Sequence, residues 1–106
     1  MGFTQKTLNA FEMTARPAAA EIHATRPNHR AFVAVYPPAS EESARKWRVR
    51  RFEIPNHLIN EYVGEEDLLD SKFLTLKNIE DVEKLLNSWG FDSSSLDAPW
   101  KCEYPL

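Results

Sequence analysis

The chain has 106 residues, 42% hydrophobic and 27% charged, with a formal net charge of −3 and an isoelectric point near 5.6. That length carries one domain with a modest core, and that balance excludes a disordered or bilayer-embedded chain. No 18 apolar residues run together, no basic leader precedes an apolar run, and Cys102 is alone, so a soluble protein of the reducing cytoplasm is expected.

The first 25 residues read two ways. "KTLNAFEMTA" fits a helix through Leu8, Phe11 and Ala15, or a strand through Phe11 and Met13. "RPAAAEIHAT" favours a helix, with Pro17 suited to a first helical position and alanines of high propensity behind it. "RAFVAVY" (30–36) is apolar on both faces, as a central strand is, and Pro37-Pro38 ends it. "KWRVRRFEI" (46–54) alternates Trp47 and Val49 with Arg48 and Arg50, then shifts its apolar phase to Phe52 and Ile54. That shift predicts a bulge near Arg50 and Arg51. The two segments form an antiparallel hairpin around the polar "PPASEESAR".

"PNHLINEYVG" offers a short helix capped by Asn56 and stopped by Gly64, turning Leu58, Ile59, Tyr62 and Val63 inward. "SKFLTL" (71–76) is a third strand. "NIEDVEKLLNSWG" predicts a helix over 79–89, with Asn78 as N-cap, Glu80 and Asp81 in the first turn and Gly90 just past the end. Its Ile79, Val82, Leu85, Leu86 and Trp89 share one face. "WKCEY" (100–104) alternates Trp100, Cys102 and Tyr104 with Lys101 and Glu103, the pattern of a half-buried antiparallel strand. The expected fold is α+β, a single domain over 1–106, with a small, mainly antiparallel sheet and the 79–89 helix on one face. Its core would hold Phe32, Val33, Val35, Trp47, Val49, Phe52, Leu74, Leu76, Val82, Leu86, Trp89, Trp100 and Tyr104.

No motif carries chemistry. The three glycines, Gly2, Gly64 and Gly90, cannot build a phosphate-binding loop. His23, His29, His57 and Cys102 lack zinc spacing, so neither metal nor cofactor is expected. A Cys102–His57 couple, or His29 as a base with Glu53, is a geometry that almost any such chain permits. The balance points to binding, not to an enzyme.

Charge narrows the binding class. Residues 1–53 carry nine Lys or Arg against five Asp or Glu, a balance of +4, and residues 54–106 carry four against eleven, a balance of −7. Glu61, Glu65, Glu66, Asp67 and Asp70 crowd into "NEYVGEEDLLD" around Tyr62. Such an excess repels itself, so it is either a solvated loop or a docking face for a basic partner with Tyr62 as an anchor. Arg45, Lys46, Arg48, Arg50 and Arg51 surround Trp47 and suggest phosphate binding with stacking. Strand alternation alone accounts for that interleaving, and the acidic isoelectric point opposes it.

From "RRFEIPNHLINEYVG" through "NIEDVEKLL" to "APWKCEYPL", the chain resembles the small cytoplasmic immunity proteins that bacteria encode beside polymorphic toxins, contact-dependent growth inhibition systems included. The resemblance implies a non-enzymatic inhibitor that binds one cognate toxin domain, often a nuclease, and occludes its active site. It matches no motif residue by residue, so the candidate contacts Glu61, Tyr62, Glu65, Glu66, Asp67 and Asp70 rest on charge alone. A nucleic-acid-binding or regulatory module using 45–51 is the alternative, and no membrane partner is expected.

Overall fold

The computed structural model describes residues 2–38, 46–59, 64, 67–102 and 104–105, residue 100 by its backbone alone. Helix α1 (Gln5–Thr14) precedes strands β1 (Ala18–Ile22), β2 (His29–Tyr36), β3 (Trp47–Pro55) and β4 (Leu69–Leu76), and helix α2 (Ile79–Ser88) follows them. The strands pair in chain order as an antiparallel meander, which makes this a small α+β fold.

Both helices begin on side-chain caps. Thr4 accepts from the Thr7 N–H at 3.2 Å and Asn78 from the Asp81 N–H at 2.9 Å, each satisfying a donor that helix geometry leaves open. Gly90, at φ 74°, lets α2 end in a left-handed turn. The α2 reading is thus one residue long, with Trp89 as its C-cap.

β1 corrects the helix expected at "RPAAAEIHAT". Ala18 to Ile22 pair with Val35 to Ala31, and Ala18, Ala19 and Ala20 are buried. Helix propensity separates residues by tenths of a kcal/mol. A ladder combined with burial under α1 outweighs it, and alanine is small enough to let that helix sit close.

The sheet is covered on both faces. Phe11, Ala18, Ala20, Val33, Val35, Val49, Val82, Leu86 and Leu96 form the core beneath the two helices. Phe32, Phe52, Ile54 and Leu68 form a second core on the opposite face, with Leu58, Ile59, Cys102 and Tyr104 against it. This double cover explains the phase shift in β3. Trp47 and Val49 belong to the helical side, Phe52 and Ile54 to the other, and β3 pairs with β2 from Arg48 to Pro55 without a slip. The bulge lies in β4 instead. Between the pairs Arg51–Lys72 and Glu53–Leu69, β4 carries one extra residue, and Asp70 adopts φ 51° there.

The C-terminal segment is not the expected strand. Pro99–Lys101 is a 3-10 turn, in which the Lys101 N–H donates to the Ala98 carbonyl and the Tyr104 N–H to the Pro99 carbonyl. Pro99 withholds a ladder donor and favours the turn. Cys102 and Tyr104 still dock against the second core. Tyr104 packs on Phe32 and Phe52 at centroid distances of 6.0 and 5.8 Å, and its hydroxyl shares a 2.5 Å hydrogen bond with that of Tyr36. Burial, then that partner, pushes the Tyr104 phenol well above its ordinary pKa.

Of the other expected core residues, Leu74 is exposed because β4 is an edge strand beyond the reach of α1. Trp47, Leu76 and Trp89 line the first core, half-buried. Of the helix read from "PNHLINEYVG", the described part is a 3-10 turn at Asn56–Leu58, without a side-chain cap. Positions 60–63 lie outside the described residues, as does the side chain of Trp100.

Candidate partner-binding surface

Of the six acidic-stretch candidates, Glu61, Tyr62, Glu65 and Glu66 lie outside the described residues. Asp67 is half-buried and folded back on its own turn. Its carboxylate accepts from the Gly64 N–H, and its N–H donates to the Gly64 carbonyl, both at 3.0 Å. Asp70 is different: its side chain is 65% exposed, at the bulge that opens β4.

Three residues that charge counting passes over hold Asp70 in place. Arg26, on the β1–β2 connection, reaches Asp70 Oδ2 at 2.9 Å and Glu53 Oε1 at 3.3 Å with the same Nη1. Glu53 is 6% exposed and receives the Thr25 N–H at 3.1 Å and the Thr25 hydroxyl at 2.7 Å on Oε2. Burial pushes the Glu53 carboxyl upward, but the two Thr25 hydrogen bonds and the Arg26 guanidinium outweigh it and hold it below its ordinary value. Arg51 and Lys72 complete an open groove against Glu53 and Asp70. No local motif announces this cluster. Thr25 and Arg26 are neighbours, but Glu53 lies 28 residues after Thr25, and only the 29–55 hairpin register brings it to them.

The basic candidates divide by face. Arg48 and Arg50 project opposite Trp47 and Val49, as alternation requires. Arg50 lies over the ring of Phe73 at 4.8 Å from its centroid, and Arg51, on the helical side, over Trp89 at 5.3 Å. Lys46 is exposed just before β3, and Arg45 lies outside the described residues.

Groups with catalytic potential are occupied or dispersed. The His29 Nδ1 donates to the Pro27 carbonyl at 2.7 Å, while the Glu53 carboxylate goes to Thr25 and Arg26. The Cys102 thiol, its pKa raised by burial, donates to the Pro99 carbonyl at 3.5 Å. Among the described residues no three metal-ligating side chains converge, and no helix is long and apolar enough to cross a membrane.

Beyond Asp70, among the described residues β4 has no strand paired on its outer side. Residues 70–75 are all exposed, Phe73 to 49% and Leu74 to 38%, on opposite faces of the strand. Comparison with protein-family models, curated proteins and solved structures returned no match.

Proposed function

We propose that this domain is a non-enzymatic binding protein that neutralises a basic protein partner, acting as an immunity protein against a bacterial toxin domain, a nuclease foremost. The observation that carries this reading is Asp70. A non-glycine residue in the left-handed region costs on the order of 1 kcal/mol, yet Arg26 and buried Glu53 hold Asp70 there with its carboxylate in solvent. The fold thus fixes a solvent-facing carboxylate, shared with Arg26, at the end of an acid-rich stretch. A partner's Lys or Arg meeting it gains steering and selectivity from the whole stretch.

The test is a cognate complex captured from the native host at moderate salt. Replacing Glu61, Glu65, Glu66, Asp67 and Asp70 by their amides weakens that complex and flattens its salt dependence, with the circular dichroism unchanged. Affinity that survives all five replacements defeats the proposal.

One observation favours the alternative reading, a nucleic-acid module. Arg48 and Arg50 share a sheet face with the half-exposed ring of Phe73, a basic stripe with a stacking surface. A mobility shift with short single-stranded RNA or DNA, visible at low salt and abolished as salt rises, would move the site to β3.

A further inference from the structure

We infer that a groove beside α1 binds the alkyl chain of a fatty-acid-like carboxylate, with Arg16 on its headgroup. The inference is independent of the toxin-binding reading.

The groove holds about 600 Å³, within the range of roughly 300–1,000 Å³ that small-molecule sites occupy. Ala10 and Met13 line it from α1, Pro17 and Ala18 from the start of β1, and Ala98 and Pro99 from the C-terminal turn. Small side chains from three elements leave the space. Met13, 81% exposed, is a flexible apolar chain with room to close on a guest. Helix α1 ends at Ala15 with φ 50°, an uncommon conformation for a residue with a side chain. That turn carries Arg16 and Pro17 to the groove.

What the walls withhold selects the body of the guest. The Thr7 hydroxyl donates to the Leu96 carbonyl at 3.0 Å and the Thr14 hydroxyl to the Ala10 carbonyl at 2.8 Å. The Arg16 N–H also goes to the Ala10 carbonyl, at 3.1 Å, and the Ala98 carbonyl accepts from the Lys101 N–H at 3.0 Å. The Ala98 N–H is held by Asp97 Oδ1 at 2.7 Å, while Pro17 and Pro99 have no N–H to give. A peptide backbone laid here would lose its hydration without replacement. An alkyl chain makes no such demand and gains by burial.

The rim selects the headgroup. Lys6 and Asp97 meet at 3.1 Å and offset each other. Arg16 is the remaining charged residue of the lining, and its guanidinium has no partner among the described residues. Its planar fork of donors matches a carboxylate through two parallel hydrogen bonds. A cationic amphiphile would instead be repelled by it.

The experiment is calorimetric titration of the full chain with sodium decanoate at monomeric concentrations, with backbone amide shifts read in parallel. Expected is one saturable site, half-filled at about 1 mM or below, with shifts centred on Ala10, Met13, Ala18 and Ala98. Arg16→Gln should weaken binding about threefold to fivefold, and Arg16→Lys should recover part of that loss. Ala10→Phe and Ala98→Phe fill the groove from opposite sides, so the test survives if one of them fails to fold. Each should abolish binding with the circular dichroism unchanged. Decyltrimethylammonium, which has the same chain and the opposite charge, should bind more weakly than decanoate. Absence of saturation, shifts centred away from the groove, equal affinity for the cation, or indifference to Arg16 overturns the inference. So does a blocked leucyl dipeptide that binds more tightly than decanoate.

Discussion

The two edges of this sheet are built from opposite materials. At the β1 edge, buried Ala18 and Ala20 face the core beneath the helices, the Asp97 backbone closes the strand at Ala19, and the buried Thr7 hydroxyl donates to the Leu96 carbonyl at 3.0 Å. Phe11 packs edge-on between Phe3 and Trp47, at 5.7 and 5.2 Å. At the β4 edge, Phe73 and Leu74 face solvent, and charge is held in place by the Arg26–Glu53–Asp70 cluster. Where small side chains let a helix approach, apolar burial seals the edge. Where the last strand is only partly covered, by α2 near Leu76, its exposed apolar side chains remain available to a partner.

This contrast can be broken experimentally, beginning with the core that both edges share. Leu86→Asp places an unpaired charge at a fully buried position and should cost about 4 kcal/mol or more in chemical denaturation. Wild-type stability would mean that α2 packs through another face. Phe11→Ala at the closed edge should cost about 3–4 kcal/mol, since a buried ring leaves a cavity. A loss under about 1 kcal/mol would show that α1 is dispensable to that edge. Thr7→Val strands the buried Leu96 carbonyl and should cost about 1–2 kcal/mol. A neutral result would leave the Asp97 bridge as the closure.

The open edge should respond to acid before it responds to truncation. Because the folded Glu53 carboxyl is held below its ordinary value, its contribution is complete above the unfolded carboxylate range. It is lost as pH falls through the depressed folded value, so thermal stability should drop on acidification below about pH 4. Glu53→Gln should be less stable near neutrality and lack that component of the drop. Parallel pH profiles for wild type and variant would exclude Glu53 as the titrating group. The smallest effect belongs to Phe73→Ala, expected within about 0.5 kcal/mol. A loss as large as that of Phe11→Ala would mean that β4 is no open edge at all.

Much of the fold was legible in residues close together in the chain. The α2 caps, its apolar stripe, the hairpin of β2 and β3 and the third strand at 71–76 follow from helical or two-residue periodicity and from where Pro and Gly stand. The misreadings share a cause. Ala18–Ala20 have helical propensity but form a strand because β2 offers a ladder and α1 a lid. The apolar shift in β3 resembles a bulge until the second core beneath Tyr104 is seen. "WKCEY" alternates like a strand, but Pro99 and the turn beside it dock Tyr104 without a ladder.

The candidate surface divides the same way. By itself the sequence determined that acids concentrate between Glu61 and Asp70 and that Arg48 and Arg50 share a face, since these depend on spacing alone. Only the tertiary structure decided that Asp70 is held by Arg26 and Glu53, residues 44 and 17 positions away. It also decided that Phe73 and Leu74 are left uncovered. Which strand ends a sheet, and which carboxylate lies beside which guanidinium, depends on register and layer order, and those are set by how the whole chain buries its apolar surface.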